Sequence, residues 1–280
     1  MDRRNILAGG ALIGGALAMA GSAAAQTPAA GGSTLARVRE SGVLRSAVIV
    51  GQEPYFHKDL ASGRWSGACI DMANDIASKL SAKVELVEST WGNVILDLQS
   101  NKIDVAFAMQ PTPERSLAVD FSTPIFYHTF TLVTRKGFAR PRTWEEISKP
   151  EVRIAVDLGS SHEFIARRYA PKANILAFKT RDEAVLAVAT GRADCTVVLT
   201  ILAIATLKKN PALGELVVPQ PMLTLPSNIM IRYDADKRFR DFLSTWADYN
   251  RAMGQSREWL LNGFAVLGVT PQDIPAEVQF

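Results

Sequence analysis

The chain is predicted to fold as α/β, on three observations. Apolar runs at Ile103 to Met109 and Cys195 to Leu199 are bounded by turn residues, as strands buried on both faces of a parallel sheet are. Helical patterns lie between such runs along most of the chain. One arrangement, helix, small turn, aspartate and buried strand, occurs twice, at Ser100-Asn101-Lys102-Ile103-Asp104 and at Thr190-Gly191-Arg192-Ala193-Asp194. This echo fits two similar α/β units, and also a single doubly wound sheet. With 280 residues, 48% of them hydrophobic, the chain can build a sizeable core either way.

Residues 1–25 stand apart from the fold. Arg3-Arg4-Asn5-Ile6-Leu7 is a paired-arginine segment, a Gly/Ala-rich and mildly apolar run follows to Ala20, and Ala23-Ala24-Ala25 offers small residues for cleavage before Gln26. The pattern is that of a twin-arginine export signal. Its glycines and mild hydrophobicity argue against a permanent membrane helix, which needs about 20 strongly apolar residues. No cysteine lies near the cleavage point to carry a lipid anchor. Residues 26–34, rich in Gly, Pro and Ala, read as a flexible arm. The formal charge of +3 falls to +2 without Arg3, Arg4 and Asp2, and lysine and arginine are scattered without a patch, so no nucleic-acid partner is implied.

The elements then follow in order. Leu44 to Val50 reads as a strand, Cys69 to Leu80 as a helix and Val84 to Val87 as a strand. A short helix at Asn93 to Leu98, apolar at Val94, Ile95, Leu96 and Leu98, runs out at the polar Ser100-Asn101-Lys102 before the Ile103 to Met109 strand. Thr112 is placed to cap a helix, Pro113 suits its first position, and Glu114 complements the positive terminus. Arg115 breaks that pattern. A cation in the first turn opposes the helix dipole by about 0.3 to 1 kcal/mol, which an anion at the strand's C-terminal edge would explain. A surface pair with Asp120 or Glu114 explains it as well. In the second half Arg153 to Val156, Ile175 to Phe178 and Cys195 to Leu199 are strand-like, with helices near Glu163 to Tyr169, Asp182 to Thr190 and Leu202 to Lys209. Phe130 to Arg135 and Asn228 to Tyr233 are exposed-looking β runs. Asp236 to Leu261 is helical, with Phe239, Phe242, Leu243 and Trp246 spaced for a core.

Trp91, Lys102, Asp104, Thr112-Pro113-Glu114-Arg115 and Asp120-Phe121-Ser122 together resemble the family 3 extracellular solute-binding proteins, receptors of polar-amino-acid ABC importers. The resemblance extends through Ser41 to Arg45, Gly67-x-x-Ile70-Asp71, Gly159-Ser160-Ser161 and Gly191-Arg192-x-Asp194. It implies a type II periplasmic-binding-protein fold, two lobes joined by a two-strand hinge with a ligand cleft between them. Residues 35–131 would open lobe I, 132–228 would form lobe II, and 229–280 would return to lobe I with the C-terminal helices. The tail from Ala265 extends past the family's usual end.

By the same resemblance Arg115 clamps a carboxylate, Trp91 offers a flat apolar wall, and the backbone around Ala108 and Gln110 supplies further polar contacts. Ser160 and Ser161 follow Gly159 at a helix start whose amides make a second anion site. Gln52 stands near the cleft mouth with Tyr55 and Phe56, which core packing explains equally. The implied partners are a small organic anion or amino-acid-like ligand and an ABC permease, in the periplasm and outside the membrane once processed. No cofactor is implied.

This chain departs from the family at the position that matters most for specificity, and two other polar positions of the family are changed, to Ala108 and Gln110. Amino-acid-binding members carry an aspartate at the end of the strand after the Gly-Arg-x-Asp turn, where it pairs with the ligand's α-ammonium. Counted from Asp194, that position is Leu199, followed by Thr200. An enclosed ammonium without its counter-ion loses about 3 to 5 kcal/mol. The expected ligand is therefore a carboxylate without a conventionally bound α-amine, unless Asp157 or Glu163 receives that amine. Two alternative functions stand beside the importer receptor. A cyclohexadienyl dehydratase shares the fold and has its general-acid glutamate at the spacing of Glu163, and a receptor of this kind can also feed a sensor.

Other chemistry has little support. His57, His128 and His162 lie apart without metal-ligand spacing, and His162 is expected at an exposed helix start. Cys69 and Cys195, assigned by the resemblance to different lobes, are expected as buried free thiols. Neither a Gly-x-Ser-x-Gly elbow, a Walker loop nor a dinucleotide fingerprint occurs in the body of the chain, so no catalytic residue is assigned.

Overall fold

A computed structural model describes residues 32–273, so the export signal and most of the arm lie outside the described residues. The arm ends sooner than its composition implies. Ser33 caps helix α1 (Thr34–Ser41) by accepting from the Ala36 N–H, and the buried Thr34 donates its backbone N–H to Asp234 Oδ2 at 2.8 Å. Next come β1 (Val43–Val48), the short pair β2 (His57–Lys58) and β3 (Trp65–Ser66), α2 (Ala68–Lys79), β4 (Lys83–Glu88), α3 (Val94–Gln99), β5 (Val105–Met109) and α4 (Pro113–Ser116). The long β6 (Val119–Arg135) leads to α5 (Trp144–Ile147), β7 (Arg153–Asp157), α6 (Ser161–Tyr169), β8 (Asn174–Phe178), α7 (Arg181–Ala189), β9 (Cys195–Leu199), α8 (Thr200–Lys209) and β10 (Gly214–Val217). The chain returns through β11 (Thr224–Arg232) to α9 (Arg238–Ala252) and α10 (Gln255–Ala265).

The strands run in the order β4-β1-β5-β11-β6-β9-β7-β8, with β10 also on β6. β1 is parallel to β4 and β5, and β7 is parallel to β8 and β9. The antiparallel β6 and β11 join these two parallel units. β6 pairs with β11 from Val119 to Thr129 and with β9 from Phe130 to Thr134, so one strand serves both halves. Two lobes with a strand hinge are the result, as in the type II periplasmic binding fold.

The echoed aspartates do the same job in each half. The Asp104 and Asp194 N–H groups donate to the carbonyls of Arg45 and Arg153, both at 2.8 Å. Their Oδ2 atoms accept the N–H of those same residues at 2.7 and 3.0 Å, and their carboxylates also take the matching guanidinium. Each aspartate thus ties the turn before a buried strand to the start of its neighbour.

Two expectations are corrected. The Asp236 to Leu261 helix is two helices, because Gly254, with φ 77° in the left-handed region, breaks the run after the Met253 cap. The β run expected at Phe130 begins earlier, at Val119. Pro124, which donates no ladder bond, sits at a register irregularity opposite Asn228. Phe239, Leu243 and Trp246 are buried as expected, and Trp246 stacks on Trp259 with ring centroids 5.5 Å apart. α10 also pins the loop before β2, since a Cβ at Gly263 would lie 2.4 Å from the Pro54 carbonyl.

Candidate functional site

The site is built at the C-terminal edge of β5, whose five residues are all buried. Ala108 has φ 60°, a left-handed conformation that costs a residue with a Cβ about 1 to 3 kcal/mol. Thr112 Oγ1 accepts the Arg115 N–H at 3.2 Å with Pro113 in the first turn, so the cap forms as its sequence implies and carries Arg115 into place. The guanidinium donates from Nη1 to the Gln110 carbonyl at 2.9 Å and from Nη2 to the Gly159 carbonyl of the other half at 3.0 Å. Burial lowers its pKa from the usual arginine value. Asp120 is instead held by Lys237 Nζ at 2.7 Å, so it makes no pair with Arg115.

Facing β5 across the cleft is the turn between β7 and α6. Gly159 approaches so closely that its Cβ, if present, would lie 2.7 Å from the Gly92 Cα. Ser160 caps α6, its Oγ accepting from the Glu163 N–H at 3.3 Å and donating to Asp157 Oδ1 at 3.2 Å. Between these edges lies a cavity of about 10 Å³, room for about one water, so an organic ligand requires the halves to part. Arg115, Trp91, Ala108, Gln110, Ser160, Ser161 and Leu199 all line it.

Gln52 and Thr200 do not. Gln52 is buried behind the wall, its Nε2 3.5 Å from Asp157 Oδ2. Thr200 starts a helix immediately after β9, and its Oγ1 donates to the Thr129 carbonyl at 3.1 Å beside a separate surface groove.

His162 is a correction. It lines the cavity and is 2% exposed, not an exposed helix-start residue. The Leu199 N–H donates to its Nε2 at 3.3 Å, and its Nδ1 lies 2.9 Å from Asp157 Oδ1 and 2.7 Å from Arg181 Nη2. Arg181 Nη2 donates to the same oxygen at 2.7 Å. Burial lowers the His162 pKa against the opposing pull of Asp157, so the ring is neutral. Burial alone would raise the Asp157 pKa, but Arg181 and His162 hold it far below the carboxylate range. Tyr55 also lines the cavity and its hydroxyl is hydrogen-bonded with His128 Nε2 at 2.7 Å, with burial bringing His128 down to about 3.

The sequence reading missed Arg181 although the signal was there. It occupies the first turn of α7, the same violation of the helix dipole that marked Arg115.

Among the described residues no carboxylate lines the cavity. The oxygens of Asp157 are taken by Arg181, His162, Ser160 and Gln52. Glu163 Oε2 accepts from the Gly159 N–H at 2.8 Å and its Oε1 from Arg167. Cys69 and Cys195 are buried free thiols, and burial pushes Cys195 up to about 12, which makes both inert packing groups. Among the described residues no group of three or more His, Cys, Asp or Glu could hold a metal, and no helix is long and apolar enough to cross a membrane.

The sequence profile of the bacterial extracellular solute-binding proteins, family 3, matches residues 44–218. Cyclohexadienyl dehydratase of Pseudomonas aeruginosa is 30% identical over 232 residues, 81% of this chain and 86% of that protein. A probable amino-acid ABC transporter periplasmic-binding protein of Sinorhizobium fredii is 30% identical over 68% of this chain and 64% of its own length. Among solved structures, an ancestral amino acid-binding protein described as a precursor of cyclohexadienyl dehydratase superposes with a TM-score of 0.73 at 32% identity, over 81% of this chain and 100% of that one.

Proposed function

The chain belongs to the bacterial extracellular solute-binding proteins of family 3, and from that membership we propose that it is the periplasmic receptor of an amino-acid-type ABC importer, closing on a small carboxylate without a conventionally paired α-amine. The observation that carries this reading is the position of Arg115, whose guanidinium reaches between the halves and touches both. A ligand carboxylate would replace the two carbonyls as acceptor. Charge-assisted bonds contribute roughly 1.5 to 3 kcal/mol each, so a few of them reach the about 8 kcal/mol of micromolar binding.

Leu199 and the occupied oxygens of Asp157 and Glu163 support the amine-free part of the reading. Lobe II, residues 132–228, would close on lobe I about β6 and β11 and present the closed form to a permease. The polar backbone of α6 at Ser160 and Ser161 would then meet the ligand from lobe II.

A thermal-shift panel on the chain from Gln26 tests this, comparing L-amino acids with matched acids lacking the α-amine. At a hundredfold excess over Kd a ligand stabilises by about 2.7 kcal/mol, a rise of roughly 5 to 10 °C for a chain of this size. The expected result is a rise with the amine-free acids that disappears in Arg115→Ala. A rise with amino acids alone would sink the amine-free reading.

The identity with cyclohexadienyl dehydratase favours a second reading, a periplasmic dehydratase with Glu163 as its general acid. The present bonds of Glu163 to Gly159 and Arg167 weigh against it, because a general acid must reach its substrate. Incubation with prephenate separates the two readings. Formation of phenylpyruvate would establish the enzyme, and unchanged prephenate leaves the receptor.

A further inference from the structure

The cavity offers unmet donors. Trp91 Nε1 and Gln110 Nε2 are buried nitrogens without a hydrogen-bond partner among the described residues, and Gln110 is only 4% exposed. A buried donor left unpaired is costly, so a ligand that brings an acceptor to both is favoured over one that does not. Three other polar side chains that line the cavity already have partners. Tyr55 and His162 bond to His128 and to the Leu199 N–H, and the Ser160 hydroxyl is held between Asp157 and the Glu163 N–H.

Charge then narrows the choice. Arg115 is the one charged side chain lining the cavity among the described residues, and behind the wall Arg181 and Asp157 neutralise each other at 2.7 Å. One cation balances one carboxylate. A second carboxylate would be enclosed without a counter-ion, and an ammonium would face a leucine and two donors.

We propose that the ligand is a 2-oxo monocarboxylate, its carboxylate on Arg115 and its oxo oxygen accepting from Trp91 Nε1 and Gln110 Nε2, which makes Trp91 and Gln110 the residues that select it. This rests on the carboxylate-receptor reading above. Where an amino acid brings an amine donor this ligand brings an oxygen acceptor, which suits a cavity that has Leu199 at the position of the amine's acidic partner and unmet N–H donors at Trp91 and Gln110.

Isothermal titration of the full chain with matched sets of 2-oxo acid, 2-hydroxy acid, dicarboxylate, plain acid and L-amino acid, over a range of side-chain sizes, tests the proposal. The expected result is a 2-oxo acid bound about 10-fold or more tighter than the plain acid of the same skeleton. Trp91→Phe, which keeps an aromatic wall, and Gln110→Met should each reduce that preference, read as the ratio of oxo-acid to plain-acid affinity, roughly 3- to 10-fold. Thermal melts confirm that both variants fold, and either variant alone suffices for the comparison. A plain acid bound as tightly as its oxo partner overturns the proposal and leaves the receptor reading standing. A hydroxy acid or dicarboxylate bound ahead of the oxo acid overturns the oxo assignment alone. An amino acid bound ahead of all of them overturns the amine-free part of the receptor reading and the proposal with it, and no acid bound at all overturns the receptor reading and the proposal together.

Discussion

Replacing Leu199 with aspartate puts a carboxylate where a ligand ammonium would sit, and the structure allows the consequences to be worked out. The Leu199 side chain is 3% exposed at the end of β9, so its loss forfeits the roughly 1.5 to 3 kcal/mol that a buried leucine contributes. The new carboxylate is buried beside a cavity lined by the cation Arg115, which is bonded to two carbonyls. Without a ligand the variant should therefore melt lower, by about 3 to 5 kcal/mol of stability if the charge stays unpaired. An L-amino acid supplies the missing cation. Its affinity should rise by the same 3 to 5 kcal/mol, roughly two to four decades, while affinity for the matched amine-free acid falls. Titration calorimetry on both ligands reads both effects, and Leu199→Asn controls for lost packing without adding charge. If no amino acid binds Leu199→Asp better than it binds the parent chain, the inference from this position is wrong.

Three further outcomes are expected. Arg115→Lys keeps the charge but loses the fork that reaches both Gln110 and Gly159, so ligand affinity should fall by about one to two decades by calorimetry; an unchanged Kd would remove Arg115 from the site. In Asp194, burial raises the carboxyl pKa but the bonds from Arg153 and Arg135 outweigh it and bring the group down to about 2, below its unfolded value of about 3.9. Its stabilising contribution is accordingly present above about pH 4 and is lost as pH falls toward 2, so denaturant titrations of Asp194→Asn should show a shallower loss of stability across that window than the parent; parallel curves would refute the assignment. Ala108→Gly relieves the left-handed strain at the end of β5 and should leave the melting point unchanged or raise it, whereas a loss of more than about 1 kcal/mol would mean that the methyl group packs more than it strains.

Legibility followed the range of the interactions involved. Cys195–Leu199 forms a strand with the ends its apolar run implies, because a run buried on both faces needs no partner to be recognised. Ile103 is not yet in β5, since the Asp104 N–H first closes the turn onto Arg45. The early half of β6 carries Pro124 and mixed burial, which hid it from any apolar-run criterion. Arg115 stood out because it violates a local rule, and the same rule marks Arg181.

The sequence by itself determined the alternation of strands and helices, the two aspartate turns, the cap that carries Arg115 and the leucine at position 199, all features written within a few residues of one another. Tertiary structure alone decided that Thr200 turns its hydroxyl to Thr129, that Gln52 reaches Asp157, and that His162 is buried. His162 meets Arg181 19 positions away and Leu199 37 positions away, and such pairings are set by how β7, α7 and β9 pack and not by any local preference of the residues.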